Sequence, residues 1–248
     1  MDKFRLDGKV ALVTGTNKGM GKAIALELAR VGAKVVGIVR TEGSQTKAEM
    51  LEKGYDYTEL EFDLSNTRGI EEITKRAIAV YGSIEILVNN AGVIKIDPAE
   101  VHSIKDYDYV MDVNTKAVFL LCQSVGKHML DRGYGKIINT SSIHGIGGGF
   151  DCISYTASKH AVIGITKALS NEWAARGINV NAIAPGYTIT DNTKGLREKT
   201  DLVENITNSI AKKRWAVPED IAPVVVFLAS PASDYITGQV IRIDGGIE

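Results

Sequence analysis

Lys9-Val10-Ala11-Leu12-Val13-Thr14-Gly15-Thr16-Asn17-Lys18-Gly19-Met20-Gly21 is the stretch on which the fold turns. Its first six residues are a short, mostly apolar run that ends at a glycine, the pattern of a buried strand. A glycine-rich turn follows, and a helical pattern then runs from about Lys22 to Val31. Strand, glycine turn and helix in that order build a dinucleotide site. The glycines let the backbone turn tightly and approach a pyrophosphate. The helix N-terminus offers that anion free N–H groups and the positive end of its dipole. Gly15, Asn17, Lys18, Gly19, Met20 and Gly21 are therefore candidate cofactor ligands. The spacing is G-x-x-x-G-x-G, and the loop alone would also suit a plain strand–helix turn.

The next strand, Lys34 to Val39, ends where an adenosine ribose would lie. An NAD site normally places a carboxylate there for the 2′-hydroxyl. This chain has Val39 and then Arg40, with Lys18 near the same corner. Two cations without an acid favour the 2′-phosphate of NADP, and Glu42 is the one nearby ribose ligand that would argue otherwise. Thr58 to Phe62 reads as a third strand, with Asp63 and Leu64 after it as candidates for the adenine. Ile84 to Val88 reads as a fourth, with Asn90, Ala91 and Gly92 leaving room for a ribose. Thr67 to Tyr81 and Lys105 to Asp131 read as helical, the second with Asn114 inside it, an unfavourable helix-interior residue. Lys136 to Thr140 is a fifth strand, ending at Ser141-Ser142. A loop with glycines at 145, 147, 148 and 149 follows, in which His144, Phe150, Asp151 and Cys152 are candidates to touch substrate.

Tyr155 and Lys159 open a long helical pattern to about Arg176, and residues four apart share a helix face. A phenol has a pKa of about 10 and transfers protons poorly at pH 7; a cation beside it lowers that value. The pair could hand a proton to a carbonyl oxygen or take one from an alcohol. Ile178 to Ile183 is a sixth strand before Pro185-Gly186. The segment at about 190–213 is polar, helical in places, and reads as a substrate-covering insertion. Pro218 to Ala229 is a helix with proline and acids in its first turn, and Gln239 to Ile243 a seventh strand.

Strands alternating with helices, with no linker, predict one α/β domain over residues 1–248: a doubly wound, Rossmann-like parallel sheet of seven strands with helices on both faces. The formal net charge of −1 gives no electrostatic reason to expect nucleic acid or a membrane surface as partner. No apolar run reaches membrane-spanning length, and none marks a signal region at Met1-Asp2-Lys3-Phe4-Arg5. The two cysteines, Cys122 and Cys152, lack metal-ligand spacing and read as reduced thiols of a cytoplasmic protein, with no metal expected.

Taken together, these motifs resemble the short-chain dehydrogenase/reductase family along nearly the whole chain. Thr14-Gly15-x-x-x-Gly19-x-Gly21 matches its cofactor loop and Asn89-Asn90-Ala91-Gly92 its next signature. Asn114, Ser142, Tyr155 and Lys159 fall on its catalytic tetrad, and Pro185-Gly186 with Thr188 and Thr190 on its nicotinamide side. The resemblance implies that Tyr155 is the acid for reduction and the base for oxidation. It implies that Ser142 holds the substrate oxygen, that Lys159 lowers the Tyr155 pKa and binds the nicotinamide ribose together with Tyr155, and that Asn114 holds a water in a relay. It also implies a homotetramer. Asn171-Glu172-Trp173-Ala174, the run from Ile178 to Tyr187, Asp191-Asn192-Thr193 and Arg214-Trp215 look like the sugar-acid branch, with its gluconate 5-dehydrogenases and 2-deoxy-D-gluconate 3-dehydrogenases. His144, Tyr187 and Trp215 join Ser142 as candidate substrate contacts. Lys18 and Arg40 instead resemble NADP-dependent carbonyl and 3-oxoacyl-carrier-protein reductases. The leading expectation is NADP(H)-dependent interconversion of a secondary alcohol and a ketone, on a small molecule such as a sugar acid. The alternatives are a 3-oxoacyl-carrier-protein or general carbonyl reductase and, in another class, a non-catalytic NADP-binding regulator.

Overall fold

A computed structural model describes residues 2–41 and 43–247; Glu42, the alternative ribose ligand, lies outside the described residues. The seven strands are β1 (Val10–Thr14), β2 (Lys34–Val39), β3 (Tyr57–Glu61), β4 (Ile86–Asn89), β5 (Gly135–Thr140), β6 (Ile178–Pro185) and β7 (Val240–Ile243). They form one parallel sheet in the order β3-β2-β1-β4-β5-β6-β7.

Alternation along each strand sorts the core into two layers. Ala11 and Val13 of β1 face one side of the sheet, with Val35, Val88 and Ile138; Val10 and Leu12 face the other, with Val36, Leu87 and Ile137. The first side is covered by α1 (Gly19–Arg30) through Ile24 and Leu28, and by a C-terminal helix (Pro218–Ala229) through Val225 and Leu228. The second is covered by α3 (Ile70–Tyr81), α5 (Ala117–Arg132) and α6 (Ile153–Trp173), through Ile73, Leu121, Val125, Val162 and Trp173. At Gly126 a Cβ would stand 2.6 Å from the Trp173 ring, so α5 and α6 meet where only glycine fits.

Three features differ from the sequence expectation. A helix α2 (Gln45–Glu52) stands between β2 and β3, started by Ser44, whose side chain accepts from the Lys47 amide. Only Thr46 and Met50 of it are buried, too sparse a stripe to register as a period. The expected helix over 105–131 is three pieces: α4 (Ile104–Met111), a π turn at Asp112–Lys116, and α5. The π turn surrounds Asn114, and such turns are rare outside functional sites. Finally, α1 begins inside the glycine loop, at Gly19 rather than Lys22. The 190–213 segment carries short helices α7 (Lys194–Arg197) and α8 (Thr200–Ser209), which makes the Pro218–Ala229 helix α9.

Candidate active site

Chain direction across the sheet reverses between β1 and its neighbour β4, and ligands of open α/β sheets bind at such a point, outside the strand C-termini. A cleft opens there. Gly15, Lys18 and Gly21 form one wall of it, Arg40 and Asp63 the adenosine end, and Asn90 and Gly92 the floor. Asn17, Gly19, Met20, Leu64, Ala91 and Thr190 also line it, as the sequence predicts. Phe62, Val93 and Tyr109 line it as well, with no signal in the sequence beyond ordinary apolar or loop character, and so does Asn192, which stood in the sequence only within the sugar-acid likeness.

The glycines have specific work. Gly15 (φ +75°) and Gly19 (φ +56°) hold left-handed conformations, and a Cβ on Gly21 would sit 2.1 Å from the Gly15 carbonyl. The N-cap of α1, Lys18, makes no side-chain capping bond, and no acid occupies the first turn, so the open N–H groups of that helix face the cleft. A pyrophosphate is the anion such an end accepts. Opposite, Thr14 Oγ1 accepts from the amides of Asn90 (3.0 Å) and Ala91 (2.9 Å), and Asn90 Nδ2 donates to the Thr14 carbonyl. Asn90 Oδ1 is buried without a partner and remains an acceptor for a ribose hydroxyl. By these three observations the cleft fits a nicotinamide dinucleotide.

The two expected phosphate cations are unlike each other. Lys18 Nζ lies 2.5 Å from Asp191 Oδ2, joining the glycine loop to the 190–213 segment across the cleft mouth. Its hydrogen bond, and then its charge, hold the Asp191 carboxyl below the usual range. Arg40 is exposed and, among the described residues, makes no ion pair. Asp63 accepts from the Ser65 amide at 2.9 Å, a local turn at the cleft edge.

Ser142, Tyr155 and Lys159 converge beside the nicotinamide end. Lys159 is buried, donates to the Thr140 carbonyl at 2.8 Å, and places Nζ 5.5 Å from the Tyr155 ring centre. Burial pushes its pKa down to about 8. Burial pushes the Tyr155 phenol up, and the Ser142 hydroxyl beside it pulls part of the way back. The Lys159 ammonium lies under the ring with a proton directed to the Thr140 carbonyl. Ser142 Oγ accepts from the His144 amide at 3.1 Å, which leaves its own proton to give. The Asn114 side chain is engaged differently from the expected relay. Its amide pairs with both backbone groups of Val93 (2.9 and 2.8 Å) and donates to Ser158 Oγ at 3.0 Å. It thereby ties the floor of the cleft to the helix that carries Lys159.

The candidate substrate residues do come together. His144 lies 6.4 Å from the Tyr155 ring and 6.0 Å from Tyr187, which lies 5.1 Å from Trp215. Burial lowers the His144 pKa, so this wall is neutral at pH 7. Cys152 is buried against Thr156 at 3.6 Å on the same side. Phe150 is fully exposed and Asp151 takes a left-handed φ of +55° beyond the aromatic row. Pro185 ends β6 and Gly186 and Thr188 follow it: Thr188 is buried and donates to the Gly186 carbonyl, and a Cβ on Gly186 would meet Asp244 at 2.8 Å. Among the described residues no cluster could hold a metal, and no helix is long and apolar enough to cross a membrane.

Known proteins share this arrangement. A family model described as Enoyl-(Acyl carrier protein) reductase matches residues 15–248. The 2-dehydro-3-deoxy-D-gluconate 5-dehydrogenase of Escherichia coli is 45% identical over 99% of this chain and 98% of its own. A 3-oxoacyl-[acyl-carrier-protein] reductase of Staphylococcus epidermidis is 39% identical over 96% of this chain and 98% of its own. A gluconate 5-dehydrogenase of Burkholderia cenocepacia, solved with NADP and tartrate, superposes with a TM-score of 0.95 at 35% identity over 99% of this chain and 97% of its own. With a dinucleotide cleft, a Tyr155–Lys159 pair and full-length relatives of this kind, the chain belongs to the short-chain dehydrogenase/reductase family of NAD(P)-dependent oxidoreductases.

Proposed function

We propose that this enzyme interconverts a secondary alcohol and a ketone on a sugar acid, using NADP(H) in preference to NAD(H). The observation that carries the chemistry is the convergence of Ser142, Tyr155 and Lys159 at the end of the cleft. The bound nicotinamide supplies or accepts the hydride. Tyr155 gives its proton to the substrate oxygen in reduction and takes it back in oxidation. Ser142 donates to that same oxygen, since its lone pair already receives the His144 N–H. Lys159 binds the ribose beside Tyr155 and keeps a positive charge beneath the ring, which favours phenolate once the ligands exclude water. Asn114 positions Val93 and Ser158. Its Oδ1 and Lys159 Nζ each lie 3.4 Å from where a Gly92 Cβ would stand, so the two groups are neighbours across Gly92, and we assign the water of the relay to the side of Lys159 that Asn114 borders.

The sugar-acid reading is supported by the names of the relatives and by the row His144, Tyr187 and Trp215. The NADP reading is supported by Arg40 at the adenosine end of the cleft, by Lys18, and by the NADP bound in the Burkholderia cenocepacia structure. The enzyme acts as one domain over 1–248, with 190–213 covering the substrate, and assembles as a homotetramer in the cytoplasm. The test is a panel of hydroxy and keto hexonates and deoxyhexonates, assayed with NADP+, NADPH, NAD+ and NADH, beside 3-oxoacyl thioesters. Turnover of a sugar acid at a higher kcat/KM with the phosphorylated cofactor is expected. Turnover confined to the thioesters would overturn the substrate reading.

A further inference from the structure

Glu59 sits in β3 at 4% exposure, where an unpaired carboxylate would be costly. It is not unpaired. Oε2 accepts from the amides of Gly43 (3.1 Å) and Ser44 (3.3 Å); Oε1 accepts from the Ser44 hydroxyl and from Tyr57 Oη (3.0 Å). An ionised carboxylate only accepts, so the direction of each bond is fixed. Tyr57 Oη then donates to Glu59 and accepts from Thr16 Oγ1, 2.8 Å away. Thr16 is fully buried between Gly15 and Asn17 of the glycine loop. Gly37 of β2 makes the chain of bonds possible, because a Cβ there would stand 2.3 Å from Thr16 Oγ1 and 2.5 Å from Tyr57 Oη.

One buried carboxylate thus reaches both halves of the adenosine site. Through Gly43 and Ser44 it holds the chain three residues beyond Arg40, and through Tyr57 and Thr16 it holds the pyrophosphate loop. Arg40 has no ion pair of its own among the described residues, so its support is the end of β2 before it and the anchored Gly43-Ser44 pair beyond it. We propose that Glu59 is a positioning residue for cofactor selectivity: it anchors Gly43 and Ser44 against the glycine loop so that Arg40 meets the ribose 2′-phosphate. The inference rests on the NADP(H) reading above. Glutamine in its place keeps the size of the side chain but removes the charge that strengthens all four bonds, and its amide N–H forces the Ser44 and Tyr57 hydroxyls to turn their own protons elsewhere, which weakens the hold on Gly43 and Ser44.

The test titrates purified protein with NADPH and with NADH, following nicotinamide fluorescence, in wild type, Glu59→Gln, Arg40→Ala and the double variant, with a thermal melt of each. In Glu59→Gln, NADPH binding weakens about tenfold and NADH binding changes by less than about twofold; in the Arg40→Ala background Glu59→Gln costs no further NADPH affinity. Equal loss of both cofactors overturns the proposal, since a residue that only supports the fold does not distinguish them. A wild type without NADPH preference overturns the phosphate reading and this proposal together. A preference lost in Arg40→Ala but kept in Glu59→Gln overturns the positioning role alone. Should Glu59→Gln not fold, Tyr57→Phe cuts the same chain at its other link; a selective loss of NADPH affinity is expected, and an unchanged selectivity overturns the proposal.

Discussion

Burying the Lys159 ammonium gives the fold a pH dependence of its own. Its folded pKa of about 8 lies below the ordinary lysine value, so the unfolded chain binds this proton more tightly than the folded one. The destabilisation is fully present below pH 8 and is relieved as the pH rises from there towards 10.5. A shift of this size corresponds to roughly 3 kcal/mol. Urea unfolding of cofactor-free wild type and Lys159→Met at pH 7.5 and pH 10 should therefore show wild type gaining on the variant at the higher pH. A constant difference would mean that the ammonium is not desolvated. At this scale the sequence was informative about reacting groups and silent about their supports. Tyr155, Lys159 and Ser142 announce themselves by type and spacing. Glu59 does not, because a glutamate in an edge strand reads as a surface residue, and its partners Gly43, Ser44 and Tyr57 are assembled only by folding.

Between elements, the contact with the clearest functional consequence is the Lys18–Asp191 pair, which ties the α1 loop to the segment preceding α7. Both side chains are exposed, so the pair contributes little to stability. It does set a carboxylate opposite the phosphates and engages a cation they would otherwise meet. Asp191→Asn should leave the melting temperature nearly unchanged and tighten NADPH binding several-fold, most at low ionic strength. Weaker binding in that variant would show the pair to be a closing contact rather than a competitor. Asp191 stood in the sequence only as part of a family likeness; nothing near it marks a partner 173 residues away. Other elements were plain. Helix α9 keeps its expected limits because Pro218 is favoured in a first turn, where its missing N–H costs nothing, and Asp220 accepts from the Val217 amide at 2.8 Å. The π turn was illegible, since the sequence shows Asn114 but not the Val93 backbone that holds it.

For the whole molecule, the alternation of strands and helices sufficed to give the sheet and its two covered faces, because parallel strands buried on both sides are apolar along most of their length. Assembly was not legible in this way and is argued from what remains uncovered. Ile104 of α4, Phe119 of α5 and Ile153 of α6 are 73%, 40% and 48% exposed. Such apolar surface on adjoining helices is what copies of a chain bury against each other. Light scattering should give a homotetramer for wild type and a smaller species for Ile104→Asp/Phe119→Asp; a wild-type monomer would refute the assembly. Turnover is also a property of the whole molecule, and the account rests above all on Tyr155 as its proton donor. The decisive measurement is Tyr155→Phe, with NADPH affinity and the rate of ketone reduction measured on the same preparation. The account predicts a rate lower by about a hundredfold or more with cofactor affinity nearly unchanged. Retained turnover would contradict it and move the proton to another group.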